Sequence, residues 1–172
     1  MRWTGVCFRA HSPRWAFAPT SGDGAAVRGA RFNPKGVPAL YLALSIKGVL
    51  LETDHGLAHR FDPLTICSYN VDMDGLIDLR TDQARAAAGV ALSDMSSAWF
   101  NDLADQTTPA SWSLSRRLIE AGASGILTPS FARGARSDMA NLVLWKWGAD
   151  LPHKVEVIDP EGRLPKDQSS WR

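Results

Sequence analysis

The stretch from residue 29 to residue 60 constrains this chain more than any other. It opens with Gly29-Ala30-Arg31-Phe32-Asn33-Pro34-Lys35-Gly36, continues through Ala39-Leu40-Tyr41-Leu42-Ala43-Leu44 and runs on from Ser45 to Arg60. Glycine and proline punctuate the first piece, which makes it a loop. The second is a short apolar run of strand length. The third reads as a helix: Ser45 is placed to cap its first N–H groups, and Ile46, Val49, Leu50, Thr53 and Leu57 recur at helical spacing. Phe61-Asp62-Pro63 closes it, because the residue before a proline avoids the α region. Loop, strand and helix carry an arginine, a tyrosine and a glutamate in turn: Arg31, Tyr41 and Glu52. Glu52 falls beside Thr53, at the margin of the face the helix buries, where an acid can overlook a cleft. Loops held by rigid elements are where binding and catalytic groups collect.

The rest of the chain supplies the scaffold. Residues 3–9 read as a first strand, with Val6 and Phe8 on one face and Arg9 at its end. Residues 10–29, which include Pro13, Pro19, Gly22 and Gly24, read as loop with room for one short helical turn. Further strands are expected at 64–71, 76–79, 125–128, 141–147 and 155–159. Helices are expected at 81–90, 97–105 and 109–121, the last with Thr108 as cap, Pro109 in its first turn and Gly122 at its end. Strands mixed with helices, without a regular βαβ rhythm, predict an α+β fold. The 172 residues fit one domain of ordinary size, taken here as 1–160, followed by a polar tail at 161–172.

Composition excludes several classes. A formal net charge of +1 argues against a chain held to nucleic acid by bulk charge. Two cysteines, Cys7 and Cys67, make neither a disulfide framework nor a cysteine-rich zinc site. No apolar run has membrane-spanning length, and polar residues interrupt the N-terminus too soon for a signal peptide, so the cytoplasm is the expected location. There is no GxGxxG, Walker A, HExxH or GxSxG pattern. His55 and His59 stand four apart on the helix, a candidate metal face, but no third ligand is indicated; a solvated helix surface is the better reading, and no metal is expected. What remains is Arg9, Arg31, Tyr41, Glu52, Ser130 and Asn141, each at the edge of an apolar element. Taken singly, each has an ordinary explanation: a solvated arginine, a core tyrosine, a surface glutamate.

Together they carry a resemblance. Phe8-Arg9-Ala10, the 29–36 loop, Leu40-Tyr41-Leu42-Ala43-Leu44-Ser45 and Leu51-Glu52 on the following helix, with Thr128-Pro129-Ser130 and Asn141-Leu142-Val143-Leu144 later, resemble the RES-domain toxin family over residues 6–147. The family is named for an arginine, a glutamate and a serine. The resemblance implies Arg31 and Glu52 for the first two, and Ser130 for the third, with Ser137 in the same loop as the alternative. It further implies a fold similar to ADP-ribosyltransferases, with mixed or antiparallel sheets flanked by helices around an NAD⁺ cleft. The partner it implies is an antitoxin of the Xre helix-turn-helix type covering that cleft.

The residue types suit that chemistry. NAD⁺ carries a pyrophosphate, and breaking its nicotinamide–ribose bond builds positive charge on the ribose, as glycoside cleavage does. Arg9 and Arg31 match phosphate oxygens through their planar forks. Tyr41 offers a ring to stack and a hydroxyl to bond. Glu52 can stabilise the cationic state and position the attacking acceptor, while Ser130 and Asn141 can fix the ribose or the nicotinamide amide. The implied activity is cleavage of NAD⁺ as substrate with transfer of ADP-ribose, weighed slightly toward a host protein as acceptor. The alternatives are a glycohydrolase or phosphorylase using water or phosphate, and, further off, a non-catalytic antitoxin-binding module or an RNA-cleaving toxin. Trp99, Phe100 and Trp112, within the long polar stretch 92–112, read equally as exposed aromatics for recognising a protein partner and as rings that pack the helix behind them.

Overall fold

The computed structural model describes residues 1–53 and 62–169. Its strands are β1 (Trp3–His11), β2 (Leu40–Ala43), β3 (Thr65–Met73), β4 (Leu76–Asp78), β5 (Gly125–Pro129), β6 (Ala140–Leu144) and β7 (His153–Val157). Its α-helices are α1 (Asp23–Arg28), α2 (Ile46–Thr53), α3 (Asp82–Ala87), α4 (Leu92–Ser96), α5 (Trp99–Ala104) and α6 (Ala110–Glu120), with a 3₁₀ turn at Pro13–Trp15. The strands form one seven-stranded sheet in the order β4-β5-β6-β2-β1-β3-β7. Neighbouring strands are antiparallel except β4 and β5, which are parallel. The fold is α+β, as expected.

Burial explains which strands read as alternating and which as continuous apolar runs. At the β5–β6–β2 end both faces are covered, so Gly125 to Thr128 and Leu142 to Leu144 are buried without alternation. On one face, Leu40, Leu42, Leu127, Leu142 and Leu144 join Cys7, Tyr69 and Val71 in a core. On the other, Ala39, Ile126 and Val143 pack against Met95 of α4 and Leu114 and Leu118 of α6. Each fully buried leucine contributes about 1.5–3 kcal/mol. At the β1–β3 end only one face is covered. Val6 and Phe8 do share a face, as predicted, but it is Cys7 on the opposite face that enters the core; Val6 is exposed and pairs with exposed Asn70.

Local signals set several helix ends. Ser45 Oγ accepts the Gly48 N–H at 3.1 Å and starts α2, and Thr81 Oγ1 accepts the Ala84 N–H at 3.1 Å and starts α3. The part of the 45–60 helix beyond Thr53, with His55 and His59, lies outside the described residues. Other boundaries differ from expectation for physical reasons. Strand β1 runs two residues past Arg9, because its ladder with β3 continues to the His11–Thr65 pair. Strand β6 stops at Leu144 because the next two N–H groups, of Trp145 and Lys146, both turn to the Ser124 carbonyl. Segment 10–29 holds a 3₁₀ turn and α1, and α4 forms in a stretch not read as helix, its Asp94 accepting the Ala91 N–H. Beyond β7, Asp159 accepts the N–H groups of Arg163 and Leu164, and Leu164 packs against the core, so the ordered packing reaches into the polar tail.

The β5–β6 contact offers a test. A Cβ at Gly125 would lie 2.4 Å from the Val143 carbonyl oxygen and 2.9 Å from the Leu144 side chain. Gly125→Ala should therefore lower stability by about 1–3 kcal/mol in urea unfolding. An unchanged midpoint would contradict the close strand approach.

Candidate functional site

Arg31 stands on a turn that is bolted down from several sides. Ala30 and Asn33 exchange backbone bonds, Ala30 N–H to Asn33 O at 3.0 Å and Asn33 N–H to Ala30 O at 3.3 Å. The indole N–H of Trp112 donates to the Ala30 carbonyl at 2.7 Å, and that of Trp145 to the Phe32 carbonyl at 2.8 Å. The loop leaves α1 through Gly29, whose φ of +73° and closeness to Trp112 leave no room for a side chain there. From this platform Arg31 Nη1 donates to the carbonyls of Ser97 (2.7 Å) and Met95 (3.2 Å), and its guanidinium lies 4.9 Å from the centre of the Phe131 ring. Among the described residues its Nε and Nη2 have no partner. Burial pushes the Arg31 pKa down from its ordinary value, and the nearby Glu52 and Tyr41 oppose that; an arginine stays charged regardless.

Arg9 enters from β1. Its Nη1 donates to the carbonyls of Ser21 (2.8 Å) and Pro19 (3.0 Å). Tyr69 and Trp147 bind the same short segment, at Pro19 and Thr20, so residues 19–21 are sewn to the sheet. Burial also lowers the Arg9 pKa, with Tyr69 and Cys67 acting against it. The structure thus places Arg9 within the strand rather than at its solvated end.

Glu52 projects from the last described turn of α2, which rests on β1 and β2. Ser130 Oγ and Asn141 Nδ2 both donate to Glu52 Oε1, each at 2.6 Å. Ser130 Oγ in turn accepts the Ala132 N–H at 3.3 Å. Ser137 is exposed, and it is Ser130 that meets Glu52. Among the described residues Glu52 Oε2 has no partner. Asn141 comes from the middle of the sheet, opposite Ala43 of β2 and Thr128 of β5, so the carboxylate is tied to the most rigid part of the molecule.

These side chains border one cavity of about 500 Å³. Arg9, Arg31, Tyr41, Glu52 and Asn141 line it, with Phe8, Trp99 and Phe131 as aromatic wall; Ser130 reaches it through Glu52. The volume lies within the ordinary range for small-molecule sites, about 300–1,000 Å³. Two cations and a carboxylate, each with atoms that have no partner among the described residues, converge there with apolar rings. That set can hold an anionic, ring-bearing ligand and stabilise positive charge developing on it.

Three expectations change. The Tyr41 hydroxyl, read as a ligand-binding group, is committed inside the protein: it donates to Asn33 Oδ1 at 2.8 Å and accepts the Phe32 N–H at 3.0 Å, and burial pushes its pKa up. Of Ser130 and Asn141, read as binding ribose or amide, the Ser130 hydroxyl and one N–H of Asn141 are engaged by Glu52, while Asn141 Oδ1 is buried with no partner among the described residues. Trp112, read as an exposed anchor, is 8% exposed and holds the Arg31 loop, while Trp99 faces the cavity and Phe100 alone of the three is well exposed, at 71%. The sequence reading missed Phe8 and Phe131; the position of Phe131 directly after Ser130 is the only signal that pointed to it. Among the described residues no group of three or more His, Cys, Asp or Glu is arranged to hold a metal ion, and no helix is long and apolar enough to cross a membrane.

The sequence profile of the RES domain matches residues 6–167, nearly the whole chain. The protein belongs to the RES domain family. No curated protein matches the chain. Among solved structures, the crystal structure of the M. tuberculosis MbcT–MbcA toxin–antitoxin complex contains a chain 22% identical, with a TM-score of 0.62 over 92% of this chain and 84% of that one. At that identity the likeness is one of fold.

The neighbourhood of Arg9 gives a pH prediction. Burial, with Arg9 adding to it, pushes the His11 pKa from 6.5 down to about 4; its Nε2 lies 3.4 Å from Cys67 Sγ. The folded state thus favours neutral imidazole. The stability this gives is present above pH 6.5 and is lost as the pH falls toward 4. Urea midpoints at about pH 7 and about pH 4.5 should differ less in His11→Asn than in the natural protein. Equal differences would contradict the burial of His11 as a neutral group.

Proposed function

We propose that this protein is the toxin of a toxin–antitoxin pair and that it breaks the nicotinamide–ribose bond of NAD⁺. The observation that carries this reading is the Glu52 carboxylate, pinned at Oε1 by two donors, with no partner at Oε2 among the described residues, in one cavity with Arg31. Arg31 Nε and Nη2 and the free N–H groups of Arg9 hold the pyrophosphate. The bond between the ribose C1′ and the nicotinamide nitrogen breaks, its electron pair leaves with the nicotinamide, and Glu52 stabilises the cationic ribose. An acceptor oxygen or nitrogen then bonds to C1′ and gives its proton to Glu52 or to solvent. Ser130 and Asn141 keep the carboxylate in place. The family match and the toxin–antitoxin complex among structures of this fold support the toxin role and an antitoxin partner; that this antitoxin is of the Xre helix-turn-helix type and covers the cleft is part of the proposal.

The acceptor divides two readings. Trp112 is buried and Trp99 faces the cavity, which removes two of the three aromatics that favoured docking of a host protein. We therefore place water or phosphate first. Exposed Phe100, at the edge of Trp99, favours transfer to a protein as the second reading.

Nicotinamide release from NAD⁺ by the purified protein tests the first half-reaction. Glu52→Gln preserves an acceptor for Ser130 and removes the charge. It should reduce release by about 10²–10³-fold, the usual loss for a deleted electrostatic stabiliser, with the fold unchanged. Full activity in Glu52→Gln would sink the mechanism. With NAD⁺ labelled on its adenylate phosphate in cell extract, label in free ADP-ribose or its phosphorylated form is the expected result. Label on a discrete protein band would establish the second reading instead.

A further inference from the structure

Arg31 is useful to an anionic ligand only if its two free nitrogens point into the cavity. Its own bonds to Met95 and Ser97 restrain one end of the side chain. The other end, the backbone that launches it, is held by the indoles of Trp112 and Trp145 and, through Tyr41, by one buried amide. Asn33 is 0% exposed. Its Nδ2 donates to the carbonyls of Val37 (2.8 Å), Ala25 (3.0 Å) and Pro34 (3.3 Å), while its Oδ1 accepts the Tyr41 hydroxyl at 2.8 Å. The same hydroxyl accepts the Phe32 N–H at 3.0 Å. The residue on the C-terminal side of Arg31 is therefore held by Tyr41, and the turn that contains Arg31 is closed by Asn33.

Every polar group in this set is satisfied inside the protein. Tyr41 has used its one O–H and an acceptor lone pair, so no donor is left for a ligand. Asn33 has both N–H groups engaged and has no exposure through which a ligand could reach it. Side chains of Trp112, Trp145 and Tyr41 make four hydrogen bonds to residues 30–33, the point where a cavity-lining cation emerges, so the same bonds that satisfy the loop also fix where Arg31 starts.

We infer that Asn33 and the Tyr41 hydroxyl are positioning residues for Arg31: they act on the ligand only through the direction of its guanidinium. The ring of Tyr41 still forms cavity wall. The inference deepens the proposed NAD⁺ site and rests on that reading for the identity of the ligand, but not for the geometry of Arg31.

The test has two arms. The first needs no NAD⁺. Phenylglyoxal modifies arginines according to their accessibility and freedom, and peptide mass spectrometry reads Arg31 separately. Tyr41→Phe keeps the ring and removes the hydroxyl; Asn33→Asp keeps Oδ1 and removes the donors. Both should raise the Arg31 modification rate by about fivefold or more while Arg80, which is outside the site, is unchanged; if Asn33→Asp does not fold, Tyr41→Phe decides. An unchanged Arg31 rate in folded Tyr41→Phe overturns the inference. The second arm measures NAD⁺ affinity in a Glu52→Gln background, where turnover does not interfere. Tyr41→Phe should weaken binding about tenfold, and the same change added to Arg31→Lys should weaken it by no more than about twofold, because residues acting through one contact are non-additive. Losses that multiply in the double variant would mean that the hydroxyl meets the ligand directly, and would overturn the inference. If the Glu52→Gln protein binds no NAD⁺ at all, the proposed function fails, and the Arg31 modification rates alone decide this one.

Discussion

A loop that crosses a covered sheet face has to satisfy its peptide groups without water. That constraint shapes the most informative part of this molecule. The carbonyls of Ala30 and Phe32 are met by two indole N–H groups, and the Asn33 side chain closes the remaining gaps from a fully buried position. Each buried donor or acceptor left unpaired costs about 1–3 kcal/mol, so these bonds keep the loop in one conformation. Trp112 and Trp145 come from α6 and from the end of β6, so the loop also joins the helical layer to the sheet. A rigid Arg31 is the result.

The carboxylate opposite is fixed on the same logic. Glu52 is an exposed residue of α2, and the helix alone would leave its side chain free to turn. Two donors at 2.6 Å on one oxygen, one from the sheet and one from the loop after β5, prevent that. Charge-assisted hydrogen bonds of this kind are about twice as strong as neutral ones. Arginine and glutamate thus face one cavity with their unused atoms already directed, and a site with little left to reorganise is the kind that stabilises developing charge well.

How much of this could be read from the sequence depended on range. Features set by neighbours in the chain were legible: the Ser45 cap, the Gly122 end of α6, and the apolar strands at 40–43 and 125–128; the Thr108 cap expected for α6 is not made, because Pro109 stands at the N-cap and the helix starts at Ala110. Features set by distant residues were not. Ser130 and Glu52 are 78 positions apart, and Trp145 and Phe32 are 113 apart, so nothing local announces either bond. The Trp112 error has a specific cause. Its flanking serines made 92–112 look solvated, yet Ser111 and Ser115 are 0% exposed; small side chains let α6 lie close to its neighbours and carry the indole inward. Tyr41 was placed correctly in the strand, but its hydroxyl was assigned outward because its partner, Asn33, was read only as part of a turn.

The central claim is that Arg31 and Glu52 act on the pyrophosphate and the nicotinamide ribose of one NAD⁺ molecule in the same cavity. A crystal structure of the Glu52→Gln protein with NAD⁺ tests it most directly. The account predicts the pyrophosphate within hydrogen-bonding distance of Arg31 Nε and Nη2, and the nicotinamide-bearing ribose carbon beside the unbonded side-chain atom of residue 52. A dinucleotide bound with its pyrophosphate away from Arg31, or outside this cavity, would contradict it.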